Sequence, residues 1–531
     1  MYGRGVQRRS RFRCRTFPRG WCGILPFLAF TFACSTATPA PSTPRKLTIL
    51  FPEGTGDSAN NGLAQIVSLL SQEGLTIIAP DGRVQPRLAE SLKWSDDGLE
   101  LSVTLRPNIL MHDRKKLDAS RAADILRRII EDPNSRRMYP GLADVDAVKA
   151  EGERIIRFVV RRHAAWLPDD LSAPLSVPDP DNPKGIKFGA GPYQIVSNEG
   201  NTRVLQRFVQ YYGGEPSIER VDLQSVETLR IAWASLLRGE VDMVTDLPPD
   251  TVELIRNPNV YIKSFSRNYQ YLIAFNGRSR KFTDPRIRRA LNMAIDRETI
   301  VTRVLKSSGL PATGPIWPKH WAYDPSAGSY KFDPGGASVL LEKSGLQVHA
   351  SADESLPPAR LRLTCLVPAR FSIIEQIALE VQRQLLEVGV DIHFDVQPYD
   401  VYNDRLTRGD FETVMIDLVG GPSLSRASIM WRSPKRSDAL PIFSYNNPVT
   451  EALFESLRIS SNEANTRVDV RKLQQAFLES PPAIFLAWND RARAVRSDFS
   501  VPGELGTDPL TTLWRWKTDK PDRPGDRMAN R

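Results

Sequence analysis

Between 361 and 396 the sequence carries a complete strand-helix-strand unit. Leu361, Leu363, Cys365, Leu366 and Val367 form an apolar run of strand length. Ile373, Ile374, Ile377, Ala378, Val381 and Leu385 then fall on one face of a 3.6-residue period. Gly389 stops that helix, and Val390, Ile392, Phe394 and Val396 alternate. Two strands joined through a helix run parallel in one sheet, so the chain is of the α/β class. Purely helical and purely antiparallel folds are excluded. Other segments agree with this reading. Residues 47–51 form a short strand, followed by Leu63, Ile66, Val67 and Leu70 at helical spacing. Leu99, Leu101, Val103 and Leu105 alternate, Ile125, Leu126, Ile129 and Ile130 stripe a helix, and 155–160 form a further strand. Thr283-Asp284-Pro285 opens a helix that buries Ile287, Ala290, Leu291, Ala294 and Ile295. At 531 residues the chain exceeds what one core organises, which predicts two or three domains.

A net charge of +9 suggests a polyanionic partner. Seven arginines, however, stand within residues 1–20, and removing them leaves +2. A nearly neutral body lacks the field that phosphate binding depends on, so no nucleic-acid partner is expected. The arginines precede an apolar run at 21–33, too short for a helix to cross a bilayer and of the length of a signal-peptide core. Ala33-Cys34-Ser35 follows, and then a Ser/Thr/Ala/Pro tether with no capacity to pack. This resembles a bacterial lipoprotein leader. The resemblance implies a signal peptide at 1–33, lipidation at Cys34, a tether at 34–45 and an exported protein held at the periplasmic or cell-surface side of a membrane. Plain secretion is the alternative.

Of four cysteines only Cys365 lies in the folded body, inside an apolar strand, and it reads as a core residue. The catalytic motifs searched for are missing: no Gly-x-Ser-x-Gly elbow, no His-Glu-x-x-His and no phosphate loop ending in Gly-Lys-Ser/Thr. The five histidines are far apart and none pairs with a second ligand at helical or hairpin spacing. No metal site, cofactor or enzymatic activity is expected.

Several phrases occur in one family's order across nearly the whole mature chain. They begin with Pro80-Asp81-Gly82-Arg83 running on to Ser91, Trp94-Ser95-Asp96-Asp97-Gly98 and Gly189-Ala190-Gly191-Pro192-Tyr193. Tyr211-Tyr212-Gly213-Gly214, Arg238-Gly239-Glu240-Val241-Asp242, Phe275-Asn276, Asp284-Pro285-Arg286-Ile287 and Phe332-Asp333-Pro334 follow. In this the chain resembles the extracellular solute-binding proteins of family 5, the peptide- and nickel-type receptors of ABC importers. The phrases themselves read as turns, caps and core.

The resemblance implies a two-lobed periplasmic-binding-protein-like fold, with a hinge of two crossing strands and an extra subdomain inserted in the first lobe at about 81–188. The first lobe would hold 45–267 and 488–516, the second 268–487, and 517–531 would be a frayed tail. By position, the family's ligand contacts fall on Glu53 and Thr55, on Tyr271, Phe275 and Asn276, on Tyr399 and Tyr402, on Asp417 and Leu418, and on Trp488 and Asn489. The aromatic positions among them serve a core equally well. Peptide receptors hold the ligand's ammonium with a Trp and, three residues on, an Asp; here Met415 and Leu418 occupy those places, with Asp417 the carboxylate one residue away. The implied function is a monomeric substrate-binding lipoprotein that encloses a peptide-like or other organic solute and delivers it to the permease subunits of an importer. A secreted hydrolase, or a sensory or regulatory protein reusing the fold, is the alternative.

Overall fold

The computed structural model describes residues 45–52, 59–182, 186–248, 251–252, 255–351, 353–433, 441–503 and 506–518. The expected signal peptide at 1–33, residues 34–44 of the expected tether with Cys34, and Glu53 and Thr55 lie outside the described residues.

Eleven strands among the described residues form one mixed sheet. From edge to edge run Tyr193–Glu199, Thr202–Arg207, Arg220–Val226, Lys46–Pro52, Met243–Leu247, Ala483–Arg496, Val260–Phe275, Thr413–Val419, Leu361–Pro368 and Val390–Gln397, with Gly309–Pro311 beside Ala483–Arg496. Lys46–Pro52 lies parallel to both Arg220–Val226 and Met243–Leu247. As a covered central strand it is a nearly unbroken apolar run, with Leu47 and Ile49 fully buried. The 361–396 unit forms as expected: Leu361–Pro368 and Val390–Gln397 are parallel, and Ser372–Glu387 buries Ile373, Ile374, Ile377, Ala378, Val381 and Leu385 between them. Gly389 follows at φ 75°, the left-handed conformation that ends the helix without a Cβ clash. On Pro285–Met293 the Asp284 carboxylate accepts from Arg286 N.

Two antiparallel strands join the halves of this sheet. Val260–Phe275 and Ala483–Arg496 pair from Val260 opposite Arg496 to Ala274 opposite Ala483. At about 3.3 Å per residue the first spans about 50 Å. Its ends lie in different cores: Val260 packs with Leu50, Val244 and Ala494, while Phe275 packs with Leu291, Leu363 and Ile377. The second strand does the same in reverse, from Ile484 beside Leu363 to Val495 beside Leu47 and Met243.

Between Lys46–Pro52 and Tyr193–Glu199 the chain leaves the sheet and builds a separate four-stranded antiparallel one, ordered Ala89–Trp94, Glu100–Leu105, Ile155–Val160, Val145–Glu151. Helix Ala119–Glu131 packs Ile125 and Leu126 against its Leu101, Val103, Ile156 and Phe158.

Three expectations change. Leu99 lies before the strand Glu100–Leu105 and is exposed, because the turn at Gly98 has not yet delivered the chain to the sheet. Val396 is also exposed, since it sits at the far end of an edge strand beyond the helix that covers it. The tail expected to fray from Lys517 starts as a strand: Lys517–Thr518 pairs with Phe499–Ser500, anchored by the buried Trp516 beside Phe499. The rest of that tail, 519–531, is outside the described residues.

Candidate functional site

Where the two long strands pass between the cores, a cavity of about 340 Å³ lies against them. Helix Ala59–Ser71 supplies Gln65 and Ile66, the carboxyl end of Met243–Leu247 supplies Asp246, the long strands supply Phe265, Tyr269 and Arg493, and Pro422 closes it from beyond Thr413–Val419. The end of one strand, the two long strands and the loop residue Pro422 thus face one space, and ligand sites in α/β sheets collect at such strand ends. Asp246 is buried and held at φ 51°, where the pairing of its strand with Ala483–Arg496 shifts between Val244 and Leu247. A non-glycine residue in the left-handed region at a bulge is the kind of strain that turns a side chain toward a site.

The electrostatics of the wall are set by a few contacts. Arg493 donates to Asp508 through Nε at 2.8 Å and Nη2 at 2.6 Å, a two-pronged pair, and its guanidinium lies 4.7 Å from the Phe265 ring centre. Gln65 Nε2 donates to the Tyr269 hydroxyl at 3.4 Å. Arg491, two residues before Arg493 and 3% exposed, has no hydrogen-bond partner at Nε or Nη2 among the described residues. A neighbouring cavity of about 490 Å³ is lined by Glu73 and Arg87, but their charges are already matched. Glu73 accepts from Arg87 Nε at 3.0 Å, from Tyr211 at 2.8 Å and from Tyr212 at 2.7 Å. The Tyr211-Tyr212 phrase therefore closes a structural cluster.

The expected ligand residues divide into groups. Tyr271 and Asn489 meet across the long strands, Asn489 Nδ2 donating to the Tyr271 hydroxyl at 2.9 Å, with both buried. Asp417 is the register partner of Tyr271, so the two side chains share a face. Tyr402 donates to Met415 O at 3.0 Å and stacks on the half-exposed Tyr399, and burial followed by the Asp417 charge pushes its hydroxyl far above the ordinary range. Leu418 points to the opposite face and packs in one apolar cluster with Trp488, whose ring stands edge-on to Trp317 at 5.0 Å. Phe275 and Asn276 are at the other end of their strand. Phe275 packs on Phe282 at 4.6 Å, and Asn276 Nδ2 donates to Phe411 O at 2.7 Å and Gly409 O at 3.1 Å. Phe275 is a core residue and Asn276 fastens a loop, and neither lines this cavity.

Residues 83–438 match the family described as bacterial extracellular solute-binding proteins, family 5 (middle region). The chain belongs to that family. Its fold is that of the two-lobed periplasmic binding proteins. The chain is 23% identical over 463 residues to the dipeptide-binding protein of Escherichia coli K12, covering 80% of this chain and 84% of that one. It is 25% identical over 343 residues to the glutathione-binding protein GsiB of Salmonella paratyphi A, covering 62% of this chain and 65% of the relative. NikZ from Campylobacter jejuni, solved in complex with Ni(L-His), superposes with a TM-score of 0.76 at 20% identity, over 90% of this chain and all of that one. These likenesses fix the solute-binding class and the fold.

Within this solute-binding protein, no group of three or more His, Cys, Asp or Glu suited to a metal ion occurs among the described residues. Cys365 is buried and its thiol is pushed up to about 12 by desolvation, which leaves it inert. Sequence reasoning missed Gln65, Asp246, Tyr269, Arg491 and Arg493. Only the arginines left a signal. In the strand 483–496, whose first half is apolar, Arg491 and Arg493 stand two residues apart and so on one face.

Proposed function

We propose that this chain is the substrate-binding component of an ABC importer, enclosing a small peptide-like or other organic solute between its lobes without transforming it. The observation that carries this reading is the cavity beside the two long strands, walled by Asp246, Phe265, Tyr269 and Arg493 on one side and by Pro422 on the other. The first lobe is assigned to 45–267 and 488–516 with its inserted subdomain at about 81–188, the second to 268–487, and rigid-body rotation occurs about the crossings near 267 and 488. The contact set comprises Glu53, Thr55, Tyr271, Tyr399, Tyr402, Asp417, Leu418, Trp488 and Asn489, joined by Gln65, Asp246 and Tyr269. Export and a lipid anchor at Cys34 fit the leader, and no helix among the described residues is long and apolar enough to cross a membrane. The protein works as a monomer beside permease subunits.

The test is a thermal-shift screen against short peptides, modified amino acids and metal chelates, with small-angle scattering on every positive. A solute at 100 times its dissociation constant adds about 2.7 kcal/mol of stability. A shifted melting midpoint with a smaller radius of gyration is the expected result; binding with an unchanged radius removes the hinge.

A further inference from the structure

Asn489, Arg491 and Arg493 alternate along one strand and present their side chains to one face. Asn489 donates through Nδ2 to Tyr271, and Arg493 pairs through Nε and Nη2 with the Asp508 carboxylate. Arg491 differs. It is 3% exposed, neither Nε nor Nη2 has a partner, and it takes part in no ion pair among the described residues. Neighbouring acids do not serve it: Asp490 points to the other face and accepts from Ser266 at 2.7 Å, Asp508 is held by Arg493, and Asp246 is engaged elsewhere. The register partner of Arg491 is Phe265, which lines the 340 Å³ cavity as Arg493 does, so Arg491 lies on the same strand face as two residues of the cavity wall, buried behind them.

A guanidinium stays protonated at any physiological pH, and burying it uncompensated is strongly unfavourable. A fold retains such a group where something else supplies the opposite charge, and the planar fork of Arg suits a carboxylate or a phosphate. We propose that Arg491 is the specificity-determining residue of the cleft and that the solute is an organic anion whose acidic group pairs with it. This rests on the solute-binding reading and narrows it to a ligand class. The compensation makes the closed, loaded form the one in which Arg491 is matched. Arg493 is less suited to this role, because its charge is already balanced by Asp508, which it holds through Nε and Nη2.

The experiment uses small acids paired with their amides, beginning with N-acetyl-dialanine and N-acetyl-dialanine amide, on the purified wild type and on Arg491→Met and Arg491→Lys. Calorimetry and thermal shift are read together. In the wild type, at least one acid binds ten times or more tightly than its amide. Arg491→Met brings that ratio to within twofold and melts higher than the wild type in the absence of solute, since the unmatched charge is gone. Arg491→Lys keeps the preference for the acid with a weaker constant. Amides that bind as well as acids, or an Arg491→Met variant that keeps the preference, overturn the proposal. So does an Arg491→Met variant that melts lower without solute, which makes Arg491 a structural partner of some other group. If no acid shifts the wild type but a neutral solute from a rich growth medium does, the anion is excluded and the solute-binding reading stands. If nothing shifts it, both fall.

Discussion

Arg458 donates through Nε to Asp144 at 2.6 Å with both side chains buried, although 314 residues separate them. The pair fastens the end of helix Pro448–Arg458 to the turn Pro140–Asp144, beside the four-stranded sheet. Arg458 Nη2 also donates to Pro140 O at 3.1 Å, and Ala165 N donates to Arg458 O at 2.8 Å. The same seam carries Ser423 donating to Asp169 at 2.9 Å, Ser425 donating to Asp170 at 2.7 Å, and the exposed ion pair Arg83–Glu463 at 2.7 Å. Residues 83–170 are thus bound to residues 423–463 by buried charge and by hydroxyl-to-carboxylate bonds.

Removing one member of the buried pair takes a desolvated ion-pair partner from the other, so Asp144→Ala should destabilise the protein by about 3 kcal/mol in urea unfolding. Replacing both, with Asp144→Leu and Arg458→Met, should return the midpoint to near wild type, because the desolvation penalty goes with the charges. A single substitution costing under about 1 kcal/mol would show that the pair is open to water in solution.

The same seam sets a pH dependence. Burial, with the Asp170 charge second, raises Asp169 to about 7; burial alone is the main cause that raises Asp170 to about 6. Both folded values lie above that of an unfolded aspartate. The folded seam therefore holds protons that the unfolded chain has already released, and this contribution is complete at low pH and lost as pH rises from about 4 to about 7. The sign is opposite to that of an aspartate whose ionised form is paired in the folded state. The melting midpoint of wild type minus that of Asp169→Asn/Asp170→Asn should fall between pH 5 and pH 8. A difference that is flat or rises over that range contradicts the buried, protonated seam.

The local parts of this fold were readable because their causes are local. Ile373 to Leu385 form one stripe at one period, and a positive-φ glycine ends it whatever the rest of the chain does. The two long strands were harder. Tyr271 and Ile273 belong to one core, Leu272 and Ala274 to another, and Val260 to a third, so no single alternation runs the length of 260–275. Two register shifts, after Ser266 and after Tyr271, break the period again. The cavity was less legible still, for Gln65, Asp246, Phe265 and Arg493 are brought together by sheet order, which no window of sequence contains. Position within a family placed Tyr271 and Asn489 beside each other but carried Phe275 and Asn276 along with them, since it does not say where along a strand the cleft ends.

The leader yields a prediction independent of the fold. The apolar run ending at Ala33 and the Thr/Pro tether after Cys34 make Cys34 the expected first residue of the mature chain. Two acyl chains on that residue would anchor the protein stably where one would not. Mass spectrometry of the N-terminus should find a lipidated Cys34, and Cys34→Ala should move the protein from the membrane fraction to the soluble one. An unmodified N-terminus at another residue, or an unchanged membrane fraction, removes the anchor.

The last prediction concerns amines. Met415 and Leu418 stand where peptide receptors place the aromatic residue and the carboxylate that hold a ligand's ammonium, and alternation now separates them. Met415 and Asp417 share the face of Ile273 and Tyr271, while Leu418 packs with Trp488 on the other side. No pair at those two positions can face one ligand, and an apolar surface cannot balance an ammonium. Asp417 is the only carboxylate in the segment 413–419, and it lies beside Tyr271 and close enough to Tyr402 for its charge to act there. A free amine should therefore add little affinity. A dipeptide and its N-acetyl form should bind within a few-fold of each other, and Asp417→Asn should leave both constants within the same range while Arg491→Met does not. If calorimetry finds micromolar binding of a simple dipeptide that is lost both on N-acetylation and in Asp417→Asn, then Asp417 is the ammonium clamp and the strand presents it to the ligand in place of the residue one step further on.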